Sequence, residues 1–477
     1  MINGKFKNSA AATVWLLAFS AIFSLVLVGL VRFGLSQVKL GEIKSAKQKA
    51  HDFAESGLEY YEWFMARFPN GIAQNAGTPH SGNVFEVKDP QSGNTIGKFE
   101  LTIDERKQCD ILQSVSVSSV GYSLARPSVK QIVKGVLAKP SVSRYSYIIN
   151  TDVWAGASRT IIGPYHSNGG IRMDGTNNSI VTSAKSSWFC DGSFGCSPAS
   201  EKPGIFGSSP NSNLWKFPVD EKPFVNFASN FSELRNLAQN NGGIFLPRFT
   251  GYYGDDRRGY ELVFRGDGTV DVYRVNYSGY VWGYRKEYGY TYSWSYGWRR
   301  ERTRPFWRSY LGRYDVPNEC SLIFSEEKLW VSGEVDGKFA VVAARTSGPY
   351  KPEIVLRGNI TYSGNAGADG VTLIAQSYIL IPEYSPNNME LNGIFVAQEG
   401  SFGRSYYEGN TRNTLSINGT VVSRARVGTA WGCGSTGYFC SGYKKRINSY
   451  DRFLRTDPPP FTPTLTDTMI YVKYTEK

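Results

Sequence analysis

The chain has 477 residues, enough for two or three domains and a sizeable core. Its 53 Lys and Arg against 41 Asp and Glu leave a formal charge of +12, and 41% hydrophobic with 20% charged residues excludes general disorder. Fifty glycines, 30 tyrosines and 5 methionines favour strands and turns over a helix bundle, while three histidines (His51, His80, His166) argue against histidine-based metal or acid–base chemistry.

Residues 1–9 form a short basic leader. Ala10 to Val31 then runs 22 residues without a charge, long enough at ~1.5 Å per residue to span the ~30 Å core of a bilayer. The following Arg32-Phe33-Gly34-Leu35 offers no small-residue cleavage site, so the segment reads as a retained anchor. Lys5 and Lys7 on one side, with Lys39, Lys44 and Lys47 on the other, leave the orientation open. Beyond the span, Ala46, Ala50, Phe53, Ala54, Gly57, Leu58, Tyr61, Phe64, Met65 and Phe68 recur in steps dominated by three and four, one stripe of an amphipathic helix. Pro69-Asn70-Gly71 ends it, so the transmembrane and amphipathic helix occupies 10–70 and is about 90 Å long.

Residues 71–140 carry three strand patterns, at Lys98–Ile103, Ser114–Ser118 and Val129–Leu137, predicting a small sheet able to cover that stripe. Further on, an apolar-x-apolar-x-Gly-x-apolar pattern starts at Leu329, Ile354, Met389 and Leu415, with a weaker copy at Ile171. Recurrence with a fixed glycine favours a stacked β-solenoid over a sandwich of similar strands. The solenoid is expected over 141–250, with a short helix at Ser229–Gln239, and again over 319–445. Residues 446–477 read as a Pro-rich tail with one strand at Met469–Tyr474. The fold class is thus α+β and membrane-anchored: a long helix with a small sheet, followed by a mainly-β domain.

Between the two solenoid parts lies an aromatic and basic insert, 251–318. Tyr288, Tyr290, Tyr292, Trp294, Tyr296 and Trp298 fall on alternate residues and would share one face of a strand. With Arg299 and Arg300 beside them, such rings suit glycan or single-stranded nucleic acid; equally, they suit covering the solenoid as cross-strand pairs.

Cys190 with Cys196, and Cys433 with Cys440, bracket short Gly-containing loops and read as local disulfides rather than zinc sites. That places the chain beyond the span in an oxidising compartment, outside the cytoplasm. Pattern alone does not say whether Cys109 and Cys320 pair. Arg265-Gly266-Asp267 reads as a hairpin turn, Asp174-Gly175-Thr176-Asn177 lacks the ligands of a calcium loop, and Asp255-Asp256 reads as a solvated pair. His166 has no triad partners in the sequence, so no catalytic residue, metal or cofactor is expected.

The stretch Ala54-Glu55-Ser56-Gly57-Leu58-Glu59-Tyr60-Tyr61, after an apolar span preceded by a short basic leader with Gly4, resembles bacterial type IV pilin-like proteins. The likeness is to PilX-type minor pilins and large type II secretion pseudopilins, and covers about the first 70 residues. It implies a non-enzymatic subunit that assembles with other pilin-like subunits in the membrane, with Glu55 and Gly57 in the assembly contact. Ser9 stands where the familiar prepilin has Glu, which implies a minor or tip component rather than a bulk pilin. The alternative is a surface adhesin or DNA-capture module that uses the aromatic insert.

Overall fold

The apolar span and the amphipathic stripe form one helix, Lys7–Arg67, in the computed structural model, which describes residues 7–68, 79–222, 224, 230–288, 294–364, 367–433 and 438–476. Residues 12–45 are exposed throughout, although a window of 18 residues there reaches a mean hydropathy of 2.6. Length and apolarity of that order suit the hydrocarbon core of a membrane. From Ala46 the stripe is buried through Ala50, Phe53, Ala54, Leu58, Tyr61, Phe64 and Met65.

The chain divides into two compact units: Met1–Asp104 with Val115–Leu137 and Lys473–Lys477, and Glu105–Ser114 with Ala138–Val472. In the first unit the helix packs on a sheet ordered Asn83–Lys88, Thr95–Gln108, Ile111–Ser123, Lys130–Ala138 and Ile470–Glu476. Glycines set the close approach. A Cβ on Gly121 would stand 2.2 Å from the Ala50 carbonyl oxygen, and one on Gly97 would stand 2.2 Å from the Phe53 ring. The fifth strand comes from the far end of the sequence. The Pro-rich segment is therefore no free tail: Tyr438–Ser449 belongs to the large sheet, and Ile470–Glu476 to the small one.

The second unit is mainly β, with a mixed sheet of 21 strands. Parallel pairing runs Leu322–Ser325 to Lys338–Ala343, Gly370–Ala375, Asn388–Ala397 and Thr411–Ser423. It then continues to Tyr147–Ile149, Tyr165–Ser167 and Val181–Ser183. In-register residues Ile323, Val341, Leu373, Phe395, Val421, Tyr147, Tyr165 and Val181 form a continuous buried ladder. Strands 147–183 thus follow 411–423 in space although they precede them in sequence. In three of the four repeats the glycine has a backbone cause, which Gly358 of the Ile354 repeat does not share. Gly333, Gly393 and Gly419 have φ of +118°, +139° and +144°, and a Cβ on Gly419 would stand 1.8 Å from the Gly393 carbonyl oxygen.

The expected short helix is Phe231–Asn240, capped by the Asn230 side chain, which accepts from the Glu233 N–H at 3.2 Å. It buries Leu234, Leu237 and Ala238 in a second apolar cluster with Leu322, Phe324 and Ala340. Within 251–318, strand Gly259–Arg265 pairs in parallel with Lys328–Val335 and so is part of the ladder. The projecting element is the antiparallel pair Thr269–Tyr288 and Trp294–Asp315.

Candidate functional site

Three disulfides join Cys190 to Cys196, Cys433 to Cys440 and Cys109 to Cys320. The third lies at a two-residue turn, where Cys109 and Asp110 both have positive φ, as hairpin loops of this size require. Around it Cys109 N–H donates to the Glu319 carbonyl at 2.7 Å, and Gln108 donates to the Asn318 carbonyl at 2.8 Å.

Gly57 makes a close approach within the first unit: a Cβ there would stand 2.2 Å from Ser119 Oγ and 2.8 Å from the Phe99 ring. Glu55 accepts a hydrogen bond from the Tyr474 hydroxyl at 2.9 Å and faces His51 at 3.5 Å.

Of the alternating rings, Tyr290 and Tyr292 lie outside the described residues, as do the side chains of Tyr288 and Trp294. Tyr296 and Trp298 share a face with Tyr284, which is in register with Trp298 across the hairpin. Tyr284 stacks on Tyr296 at 5.8 Å and meets Trp298 edge-on at 5.7 Å. Arg300 lies 5.3 Å over both Tyr280 and Trp282, and Arg299 donates to the Trp298 carbonyl at 3.3 Å. The cluster is completed by Tyr406 and Trp431, which sequence reasoning missed: Trp431 stands 6.1 Å from Tyr284, and Tyr406 is 5.9 Å from Trp298. Reciprocal backbone bonds of 3.0 Å between Tyr284 and Tyr406 hold the two parts together. Beneath them Glu301 accepts from the Ser405 and Tyr407 hydroxyls and faces Arg285 at 3.3 Å. Burial pushes the Glu301 carboxyl upward in pKa, against the pull of Arg285 and the two hydroxyls.

Of these rings, Tyr284, Tyr296 and Trp431 line a cleft of about 940 Å³ in the second unit. Trp154, residues of the Cys190–Cys196 loop, and Gly156, Gly403 and Gly428 line it as well. Arg172, Arg285, Arg404, Arg426 and Arg446 all line it, with no carboxylate among the described lining residues. Arg172 is fixed by Asp174 at 2.8 Å and lies 4.4 Å over the Trp154 ring. Burial raises the Asp174 carboxyl, but hydrogen bonds from Trp154 and Ser208 and the Arg172 charge outweigh it and hold the pKa below the usual range. The Asp174 loop therefore braces a cleft wall. No group of three or more metal-binding side chains occurs among the described residues.

Arg446 is in register with Arg159 on the adjacent parallel strand, at the ladder position that Met389 and Leu415 occupy further along. Two guanidinium groups thus follow two apolar side chains on one inward row. Burial, and then Arg159, push the Arg446 pKa down to about 9; burial also lowers that of Arg404. Sequence pattern could not find this pair, because its meaning depends on which strands are neighbours.

Elsewhere, His166 is fully buried between Thr182 Oγ1 and Asn168 Oδ1, each at 2.8 Å, a structural arrangement. Asp255 pairs with Arg248 at 3.2 Å and Arg345 at 2.7 Å, and Asp256 with Arg302 at 3.4 Å, so the two carboxylates are tied rather than simply solvated. Asp267 accepts from the Thr269 N–H at 3.1 Å inside a turn.

No family model and no curated protein matches the chain. Among solved structures, the competence-associated pilin ComZ from Thermus thermophilus is similar over 91% of this chain and 97% of its own, with 12% identity and a TM-score of 0.34. At that score the superposition is too loose to transfer a fold or a function.

Proposed function

We propose that this chain is a non-enzymatic minor or tip subunit of a type IV pilus or pilus-like filament, anchored by its N-terminal span and displaying the second unit outside the cell. One observation carries the reading: a single helix, Lys7–Arg67, is apolar and uncovered along one half and packed on its own sheet along the other. The uncovered half suits lipid first and the helices of other pilin-like subunits afterwards. Three disulfides agree with an oxidising compartment. The second unit reads as a β-solenoid, supported by its succession of parallel, in-register strands. A surface-binding role, as adhesin or DNA-capture module, is the second reading, and the cleft walled by Tyr284, Tyr296 and Trp431 favours it.

The test is recovery of the protein in filaments sheared from intact cells. Glu55→Arg should leave membrane insertion unchanged and reduce recovery in the sheared fraction. Tyr474→Phe, which removes one internal hydrogen bond to Glu55 and keeps its charge, should not. Wild-type protein that stays wholly with the cell membrane after shearing would overturn the filament reading.

A further inference from the structure

Among the described residues, charge is balanced at several buried sites of the second unit and unbalanced around the cleft. Glu261 faces Arg308 and Arg357, Glu327 faces Arg345, and Glu353 faces Lys328, so these buried carboxylates carry cationic partners. Around the cleft, Arg159, Arg404, Arg426 and Arg446 show no ion pair among the described residues. Three of them are deeply buried, at 2% exposure for Arg159, 1% for Arg404 and 8% for Arg446. Their donors are only partly used. Arg159 Nε and Nη1, Arg404 Nε and Arg446 Nε have no hydrogen-bond partner. A buried guanidinium without an anion is costly, and two in register on one row add repulsion. Apolar side chains at those positions, as at Met389 and Leu415, would be the cheaper way to continue the ladder.

We propose that the cleft binds an acidic oligosaccharide, with a sugar carboxylate received by the guanidinium groups of Arg404, Arg426 and Arg446 and sugar faces lying on Trp154, Tyr284 and Trp431. A planar guanidinium fork matches a carboxylate in geometry. Aromatic faces offer apolar surface to sugar C–H groups, and the glycines among the lining residues let a ring come close. The volume falls in the ~300–1,000 Å³ range of small-ligand clefts. Burial decides between this ligand and a nucleic acid. Non-specific binding of a strand relies on a positively charged groove that tracks its continuous backbone, whereas Arg404 and Arg446 are reached only by a small protruding anionic group. The inference deepens the surface-binding reading and rests on it, and it is independent of filament membership.

The test uses the purified full chain in detergent and three probes: trigalacturonate, its methyl ester, and a single-stranded oligothymidylate, followed by calorimetry and tryptophan fluorescence. Trigalacturonate should bind, and the methyl ester should bind about tenfold more weakly or worse, since esterification removes the charge that the guanidinium groups receive. Arg446→Met restores the apolar ladder, so it should keep or raise the melting temperature while abolishing trigalacturonate binding; Arg426→Gln, at the more accessible edge, should weaken it without a change in melting. Three results with these probes would overturn the proposal. They are no binding of trigalacturonate, equal binding of acid and ester, or tighter binding of the oligothymidylate at the same arginines. An Arg446→Met protein that melts early but binds normally would likewise assign that arginine to the fold and sink the proposal.

Discussion

The bridge between Cys109 and Cys320 closes a sequence separation of 211 residues, against 6 for Cys190–Cys196 and 7 for Cys433–Cys440. In the chain-entropy description, a cross-link restrains the unfolded state by an amount growing with the logarithm of the loop. The long loop then contributes about 5 kcal/mol and each short loop about 2 kcal/mol. Replacing both cysteines of a pair by alanine removes that restraint, and Cys109 and Cys320, at 2% and 0% exposure, leave only small gaps behind. Urea unfolding of the three double variants, followed by intrinsic tryptophan fluorescence, should rank the Cys109/Cys320 variant lowest by about 2–3 kcal/mol. Mass spectrometry without reductant should find all three pairs in the parent protein. Equal losses for the three variants, or a larger loss for either short loop, would refute the loop-length reasoning.

Two further outcomes follow from buried positions. Burial lowers the His166 pKa from 6.5 to about 4, with Asn168 opposing and Lys222 adding to the shift. The unfolded chain then takes up a proton that the folded chain refuses as pH falls from 6.5 to 4, so about 3 kcal/mol of stability present above that window is lost within it. Thermal melts across pH should show this step in the parent protein and lack it in His166→Gln. Gly121→Val, whose Cβ would press on the Ala50 carbonyl at 2.2 Å and the Ala54 nitrogen at 2.3 Å, should cost about 1–3 kcal/mol and speed proteolysis of the helix beyond Ala46, leaving the ladder of the second unit intact.

Much of this architecture is readable locally. A stripe in steps of three and four from Ala46 to Phe68 can be little else than one helix face, and the structure buries that stripe. The strands Thr95–Gln108 and Ile111–Ser123 contain the two alternating runs, and Lys130–Ala138 covers the third β-rich run save Val129. Cys190 and Cys433 lie a few residues from their partners, where short Gly-containing loops leave few other pairings. The glycine of three of the four repeats also speaks for itself, because Gly333, Gly393 and Gly419 share a backbone conformation that side chains oppose, although Gly358 does not adopt it.

Adjacency is what local pattern leaves open. Alternation tells which residues of a strand face inward, but the hydrogen bonds of a parallel ladder are made by backbone groups common to every strand. Nothing local therefore places Tyr147–Ile149 beside Thr411–Ser423, or Ile470–Glu476 in the small sheet. The same degeneracy hid the pairing of Cys109 with Cys320 and the meeting of Tyr406 and Trp431 with the hairpin rings. Arg446 shows the consequence for function most directly. In sequence it is one basic residue in a Lys-Lys-Arg run, a solvated face by ordinary expectation. Only the stacking of strand on strand turns it inward beside Arg159, where Met389 and Leu415 stand further along the row. The sequence by itself determined the long apolar helix, its buried face, the strand pattern and the local disulfides, because each depends on neighbours a few residues away. Tertiary structure decided the order of the strands and the charge of the cleft, because both depend on long-range backbone pairing that no side-chain period encodes.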